Sequence, residues 1–154
     1  MNKKGFTLIE LLIVIAIIAI IAGTVFVALD PLKRFKEARD SRRWGDVNAI
    51  LSAIKISQVD NRGLYIPSIE AMALSGGQVI GTANAGCTCG VWGVLPCVNL
   101  TALVDGGYLA SVPIDPKGGT AASTGYYLVK MTNGTVRVGA CAPEMANAKI
   151  EVLR

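Results

Sequence analysis

The pattern of apolar and polar positions begins with a long apolar run. From Leu11 to Leu29 the sequence holds no charged residue and one polar side chain, that of Thr24. As a helix, the stretch from Phe6 to Leu29 is roughly 36 Å long, at about 1.5 Å per residue, which is enough to cross a bilayer. A removed signal peptide is the alternative, but its apolar core is usually shorter, and the stretch from Val25 to Ala28 offers a poor cleavage site. The pattern therefore favours a retained membrane helix.

The next pattern indicates an amphipathic helix. Apolar residues recur at intervals of three and four: Val47, Ile50, Leu51 and Ile54. This spacing gives a stripe that can face a sheet, and Trp44 extends it. Asp30-Pro31 breaks or kinks a helix, since proline lacks the backbone N–H. We therefore expect one long helix from about Phe6 to Val59, with a kink or loosened stretch between Gly23 and Pro31.

The C-terminal part shows strand patterns. Two runs, Tyr126–Met131 and Thr135–Ala140, flank Asn133-Gly134, the strongest short-range signal for a hairpin. Lys149–Leu153 alternates as a third strand. The alternation also predicts one shared apolar face, made of Tyr127, Val129 and Met131 with Val136 and Val138 from the partner strand.

Turn residues dominate the region from 60 to 123, which we expect to be mostly loop. Two short helices are predicted there, over Ser68–Leu74 and Asn99–Val104. The second would have Asn99 as its N-cap and Gly106 as its stop.

Together these elements predict an α+β fold. A long N-terminal helix, membrane-spanning in its first half and amphipathic in its second, packs on a small antiparallel sheet of about three strands. The expected segments are a leader, the apolar helix, its amphipathic continuation, and a globular head with a loop region and a C-terminal sheet. Their boundaries are 1–5, 6–29, 30–59 and 60–154, the head dividing into 60–123 and 124–154.

Composition narrows the chemistry. The mean hydropathy of the 154 residues, +0.49, is too high for a soluble domain, and the apolar run accounts for it. The chain contains no histidine, which excludes imidazole bases and histidine metal ligands. It also offers no plausible serine–lysine arrangement for nucleophilic catalysis. We therefore expect no enzymatic activity, no catalytic residue, no cofactor and no metal site.

Positive charge is concentrated in one segment. Residues 30–62 carry eight lysines and arginines against five acids, whereas the residues after them are balanced. Six of the cations follow the apolar run closely: Lys33, Arg34, Lys36, Arg39, Arg42 and Arg43. They are interleaved with acids at helical spacing, such as Arg42 with Asp46, which indicates a collar facing water or lipid headgroups. A nucleic-acid partner of the 33–43 cluster is the less favoured interpretation.

The cysteines lie beyond the apolar helix, at Cys87, Cys89, Cys97 and Cys141. An even number in an exported domain indicates disulfides, with three arithmetically possible pairings. Cys87 and Cys89, one residue apart, cannot easily bridge to each other, so Cys97 and Cys141 each take one partner. A zinc site of all four thiolates is the alternative, but the one-residue separation is shorter than usual.

Glu10 is the one charge inside the apolar helix. A carboxylate costs about 2.5–3.5 kcal/mol at the bilayer centre and less near a helix end. One interpretation leaves it solvated at the headgroup boundary. The other supplies a cation: if the chain were cut between Gly5 and Phe6, the new α-amino group could pair with it.

The stretch Lys3-Lys4-Gly5-Phe6-Thr7-Leu8-Ile9-Glu10-Leu11-Leu12 resembles the class III signal of type IV pilins and their pseudopilin relatives. The resemblance implies cleavage after Gly5 by a prepilin peptidase and methylation of the Phe6 amine. It implies that Glu10 neutralises the Phe6 amine of an adjacent subunit, and that the helix first holds the subunit in the membrane and then forms the core of a filament.

The implied protein is a structural subunit whose partners are copies of itself, the peptidase and an assembly machine. By the positive-inside tendency, the basic residues after the helix would place the head in the cytoplasm. The acids interleaved with them, the leader and the cysteines favour export instead. We therefore expect a single-pass membrane protein with its head outside the cytoplasm, and after assembly an extracellular pilus or envelope-spanning filament.

A second stretch, from Gly107 to Pro116, resembles the Tyr-Leu…Pro-x-Asp-Pro segment common in major pseudopilins and related small pilins. Some of these place a calcium loop at the position of Asp115, but residues 117–124 contain no acid, so a calcium site is not supported. Three alternatives stay open: a pseudopilin of a type II secretion or DNA-uptake system, a membrane-anchored binding domain that never polymerises, and an exported enzyme with a metal at its cysteines.

Overall fold

The computed structural model describes residues 5–83, 86–90, 93–146 and 148–154. The chain forms two compact units, residues 1–36 and residues 37–154. We call the second unit the head. The fold is α+β, with long helices at the N-terminal side and a mostly antiparallel sheet in the head.

The N-terminal unit is built on helix α1, Leu8–Leu29. Thr7 caps its start, and Asp30 ends it in a left-handed conformation with φ 38°. The next helix, α2, begins directly at Pro31 and ends at Asp60. The predicted kink is therefore confirmed and located at Asp30, because Pro31 cannot donate the hydrogen bond that would continue α1.

Within the head, α2 presents one buried stripe. The stripe returns to the same face every three or four residues, and its buried members are Asp40, Arg43, Val47, Ile50, Leu51, Ala53, Ile54 and Ser57. The predicted apolar positions are confirmed, but the stripe continues through Asp40 and Arg43 rather than Trp44. Trp44 is 42% exposed, so its assignment to the stripe was wrong. It lies one residue after Arg43 and is rotated by about 100° from it on the helix.

The main sheet has five strands in the order β4-β1-β5-β6-β7. Their bounds are β1 Gly77–Ile80, β4 Cys97–Val98, β5 Tyr126–Lys130, β6 Val136–Ala140 and β7 Glu151–Leu153. The last three are the strands predicted from the sequence, and Gly134 turns the hairpin with φ 79°. Two strands of this sheet were not predicted, β1 and β4, which pair with each other in parallel. They are four and two residues long and lie in the turn-rich region.

The predicted face of the hairpin was wrong. Leu128 pairs with Val138 and Lys130 with Val136, so the two valines lie on the face opposite to Tyr127 and Val129. The valines join Tyr126 and Leu128 in the core under α2. The alternation of apolar and polar residues could not distinguish the two faces, because both faces of this hairpin are covered by protein and carry apolar residues.

The other face of the sheet is covered by a short two-stranded ribbon, β2 Cys87–Cys89 paired with β3 Gly93–Leu95. It forms a second apolar cluster with sheet residues that include Val79, Tyr127 and Val129. Sheet and α2 thus form one layer pair, and the ribbon adds a partial third layer.

Two short helices complete the head, α3 Pro67–Glu70 and α4 Thr101–Asp105. Both lie within or next to the predicted stretches and are shorter than expected. The N-cap of α4 is Leu100 rather than the predicted Asn99. The side-chain oxygen of Asn99 instead accepts the backbone N–H of Thr101 at 2.8 Å. The stop at Gly106 is confirmed as the C-cap.

Candidate processing and assembly site

The segment before α1 is open to other molecules. Gly5, Phe6 and Thr7 lie outside regular secondary structure and are exposed, the Phe6 side chain to 77%. Among the described residues, a Cβ at Gly5 would meet no heavy atom within 4 Å. The peptide bond between Gly5 and Phe6 is therefore accessible to a peptidase without unwinding α1.

Glu10 closes a capping box with Thr7. The Thr7 hydroxyl accepts the backbone N–H of Glu10 at 3.3 Å. In return, Glu10 Oε2 accepts the backbone N–H of Thr7 at 2.9 Å and its hydroxyl at 2.8 Å. Two donors at the start of the helix are thus satisfied, and the carboxylate is fixed beside the first turn of α1.

The exposed surface of α1 is apolar and is unfavourable in water. The structure describes all 22 residues of this helix, and none of them is buried. By length and composition α1 is apolar enough to cross a membrane. A helix that is apolar on every side is stable in lipid or inside a bundle of similar helices.

In the head, a buried ionic cluster joins α2 to two loops. We call it the Arg43 cluster; its members are Arg39, Asp40, Arg43, Asp115 and Glu144. Arg43 is fully buried and donates two hydrogen bonds to Asp115, from Nε to Oδ2 at 2.6 Å and from Nη2 to Oδ1 at 2.9 Å. Its Nη1 donates to Asp40 at 2.7 Å and to Glu144 at 3.1 Å.

The acids of the cluster have further donors. Glu144 accepts two hydrogen bonds from Arg39, at 2.6 and 2.7 Å, and lies 3.2 Å from the Lys117 ammonium. Asp40 accepts the backbone N–H groups of Glu144 and Met145. Among the described residues, every buried side-chain nitrogen and oxygen has a hydrogen-bond partner.

These contacts shift the ionisation of the cluster. The hydrogen bonds from Arg39 hold the pKa of Glu144 far below its ordinary value, against the opposing effect of burial, and Lys117 and Arg43 add to the lowering. Burial raises the pKa of Asp40, but its backbone donors and Arg43 outweigh burial, so the net pKa is lowered. The hydrogen bonds to Asp115 raise the pKa of Arg43 above its ordinary value. Glu144, Asp40 and Arg43 therefore stay charged near neutral pH.

The four cysteines lie together at the ribbon. Cys87 is joined to Cys97 and Cys89 to Cys141, with Cα–Cα distances of 5.4 and 5.0 Å. The neighbours Cys87 and Cys89 thus take different partners. Among the described residues, no group of three or more cysteine, aspartate or glutamate side chains is arranged to hold a metal ion.

Comparison with known proteins adds one finding at the N-terminus. A family model described as the prokaryotic N-terminal methylation motif matches residues 1–26. The chain carries a type IV prepilin signal. Neither a curated protein nor a solved structure matches the chain.

The prepilin signal is the part of the chain that holds Gly5, Phe6 and Glu10, and it supports a type IV pilin-like or pseudopilin protein. It implies processing by a prepilin peptidase and assembly into filaments. It also fits a membrane-anchored precursor. The matched region ends within α1, so the head lies outside the match.

The interpretation of the basic residues as a solvated collar was wrong for Arg39 and Arg43. Arg43 is fully buried and Arg39 is 33% exposed, and both bind acids of the Arg43 cluster. Arg42 between them is 65% exposed and lies 3.9 Å from Asp46. A usable signal was present in the sequence, since positions 40 and 43 continue the three- and four-residue spacing of the apolar stripe. The acids Asp115 and Glu144 carried no such signal.

The segment from Gly107 to Pro116, noted for its resemblance to pseudopilins, is tied to α2. Tyr108, Leu109 and Val112 pack against the main core, and Asp115 binds Arg43. The Asp115 carboxylate also accepts the backbone N–H of Lys117 at 2.9 Å. Both of its oxygens are thus engaged by protein donors.

Proposed function

We propose that the chain is a structural subunit of a type IV pilus-like filament, processed after Gly5 and polymerised through its N-terminal helix. The observation that supports this most is α1 itself, whose 22 residues are all exposed in a chain that carries the prepilin signal. In this proposal residues 1–5 are a leader, 6–29 form the membrane helix and later the filament core, 30–59 continue the helix, and 60–154 form the loop region and sheet that are exported with it.

The physical basis is the double use of one apolar surface. Moving α1 from lipid into a bundle of identical helices changes its hydrophobic free energy little, so packing and polar contacts decide the register. Glu10 is the one acid within α1, and cleavage after Gly5 creates an ammonium group at Phe6. Pairing of Glu10 with the Phe6 amine of a neighbouring copy sets the stagger between subunits, because an ion pair in low-dielectric surroundings is strong and geometrically demanding.

A pseudopilin of a secretion or DNA-uptake system is the second candidate. It is compatible with the segment from Gly107 to Pro116, which resembles one common in major pseudopilins and related small pilins and which supplies Asp115 to the Arg43 cluster. Long filaments outside cells at native expression favour the pilus. Filaments confined to the envelope, with secretion or transformation lost on deletion, favour the pseudopilus. In either case the chain contributes polymerisation, and we assign it no catalysis.

The test separates the charge of Glu10 from its capping role. Glu10→Ala removes both, Glu10→Gln keeps an acceptor for the Thr7 donors without the charge, and Thr7→Ala removes the cap but keeps the carboxylate. We expect Glu10→Ala and Glu10→Gln to abolish filaments in electron micrographs of sheared fractions. Thr7→Ala should still assemble, because an N-cap is worth only about 1 kcal/mol.

Export and leader cleavage, followed by immunoblot, serve as the control and should be unchanged in all three variants. Normal filaments from Glu10→Gln would contradict the pairing role. Loss of filaments in Thr7→Ala together with Glu10→Ala would assign the defect to helix capping instead.

A further inference from the structure

The structure divides the basic cluster of residues 33–43 into two sets. Arg39 and Arg43 belong to the head and are bound to acids there. Lys33, Arg34 and Lys36 belong to the N-terminal unit, and all three are exposed. The second set follows directly after the turn at Asp30 that ends α1.

The same first turns of α2 expose two large apolar side chains, Leu32 to 73% and Phe35 to 63%. An open depression of about 490 Å³ lies beside them, lined by Phe26, Val27, Asp30, Pro31 and Leu32. Exposed apolar and cationic side chains that alternate on one short helical segment are typical of a membrane–water interface. There aromatic rings lie at headgroup level, and lysine stems cover apolar surface while their ammonium groups reach the phosphates.

The length of α1 places this segment at the same level. Twenty-two residues span about 33 Å as a helix, close to the roughly 30 Å of the hydrocarbon core. If α1 crosses the bilayer, the residues that follow Asp30 emerge among the headgroups. The charge of the segment is complementary to phospholipids with a net negative headgroup.

We propose that residues 32–36 form a docking surface for anionic phospholipid headgroups in the membrane-anchored precursor. Lys33, Arg34 and Lys36 bind the phosphates, and Leu32 and Phe35 enter the boundary between headgroups and acyl chains. The surface holds the base of α2 at the membrane until the subunit is taken into a filament. This inference rests on the proposed function in one respect, namely that α1 spans the membrane.

The test uses the full chain in nanodiscs that contain equal amounts of phosphatidylcholine and phosphatidylglycerol. Spin-labelled forms of each lipid report which one is immobilised at the protein. We expect phosphatidylglycerol to be preferred, the preference to disappear in high salt, and Lys33→Gln/Lys36→Gln to reduce it by up to about fivefold for each lysine removed. The matched control is Lys149→Gln/Arg154→Gln, which removes two exposed charges from the head and should leave the preference unchanged.

Each other outcome has a distinct meaning. An inserted chain without the preference, or an equal loss in the control variant, would overturn the docking surface. Duplex DNA that binds through Lys33 and Lys36, where phosphatidylglycerol is not preferred, would assign the segment to nucleic acid and overturn it as well. A chain that fails to insert at all would contradict the proposed function itself, and the docking surface with it.

Discussion

Arg43 is a fully buried guanidinium between two loops that are distant from it in sequence. Its planar fork matches the carboxylate of Asp115 with two parallel hydrogen bonds, a geometry that lysine cannot reproduce. Burying these charges is expensive, and the cluster is tolerated because every donor and acceptor finds a partner. Arg43 thereby fixes the 115 loop and the 144 segment against α2.

Loss of Arg43 should destabilise the head strongly. Arg43→Ala leaves Asp115 buried without its main partner and takes one donor from Asp40, and breaking such a cluster costs about 3–5 kcal/mol in the free energy of unfolding. Arg43→Lys should lie between Arg43→Ala and the native chain, because it keeps the charge but loses the bidentate contact. Chemical denaturation of the full chain in detergent, followed by near-UV circular dichroism, measures these differences.

Arg42→Ala is the matched control, since Arg42 is the neighbouring arginine and is 65% exposed. We expect a change within about 0.5 kcal/mol there. Equal effects of the Arg42 and Arg43 substitutions would show that the buried cluster does not stabilise the head.

The stability of the head should decrease on acidification. Folding lowers the pKa of Glu144 through Arg39 and lowers the net pKa of Asp40 through its backbone donors and Arg43. A carboxyl with a lowered folded pKa stabilises the fold above its unfolded pKa, and this contribution is lost as the pH falls toward the folded value. With ordinary pKa values of 4.5 for glutamate and 3.8 for aspartate, the loss should begin near these values and grow below them.

Thermal unfolding across the acid range measures this dependence. Glu144→Gln should flatten the curve below pH 4.5, because it removes the carboxyl whose pKa folding lowers. A stability that is constant down to the lowest pH in the native chain would contradict the ionic account of the cluster.

At the scale of elements, local signals were sufficient for the parts that form locally. The hairpin of β5 and β6 follows from Asn133-Gly134, and the break between α1 and α2 follows from Asp30-Pro31. Strands β1 and β4 have no such local cause. Strand β1 forms because β5 offers it backbone partners from a distant part of the chain, as in the pairing of Gln78 with Leu128. Strand β4 in turn pairs with β1, and the Val79 N–H donates to the carbonyl of Pro96.

The ribbon of β2 and β3 depends on covalent bonds. Two short antiparallel strands are marginal on their own in water. The Cys89–Cys141 bond closes 52 residues and the Cys87–Cys97 bond closes 10. The even number of cysteines predicted disulfides, but the choice between pairing partners needed the register of the sheet, which the sequence does not display.

Removing the two disulfides should have unequal effects. By chain entropy, Cys89→Ala/Cys141→Ala should cost about 4 kcal/mol, and Cys87→Ala/Cys97→Ala about 3 kcal/mol, because the longer loop constrains the unfolded chain more. Denaturation of the two double variants in parallel measures both values. A larger loss from the Cys87–Cys97 pair would contradict this order, and four free thiols in freshly exported protein would remove its basis.

At the scale of the whole molecule, the chain combines an apolar helix whose exposed surface needs lipid or other helices around it with a head whose described buried polar side chains all have hydrogen-bond partners. The sequence predicted the long apolar helix, because a long uncharged run is visible without any structure. It did not predict the buried cluster, because Asp115 and Glu144 resemble ordinary loop acids until the fold brings them to Arg43.

The central claim is that maturation at Gly5 and polymerisation through α1 belong to one process. Mass spectrometry of the intact subunit from sheared filaments tests it most directly, because it reads the N-terminal residue of the polymerised form. The account predicts a chain that begins at Phe6, carries one methyl group on its amine and retains all of α1. A polymerised subunit that begins at Met1, or at a residue after Leu29, would contradict it.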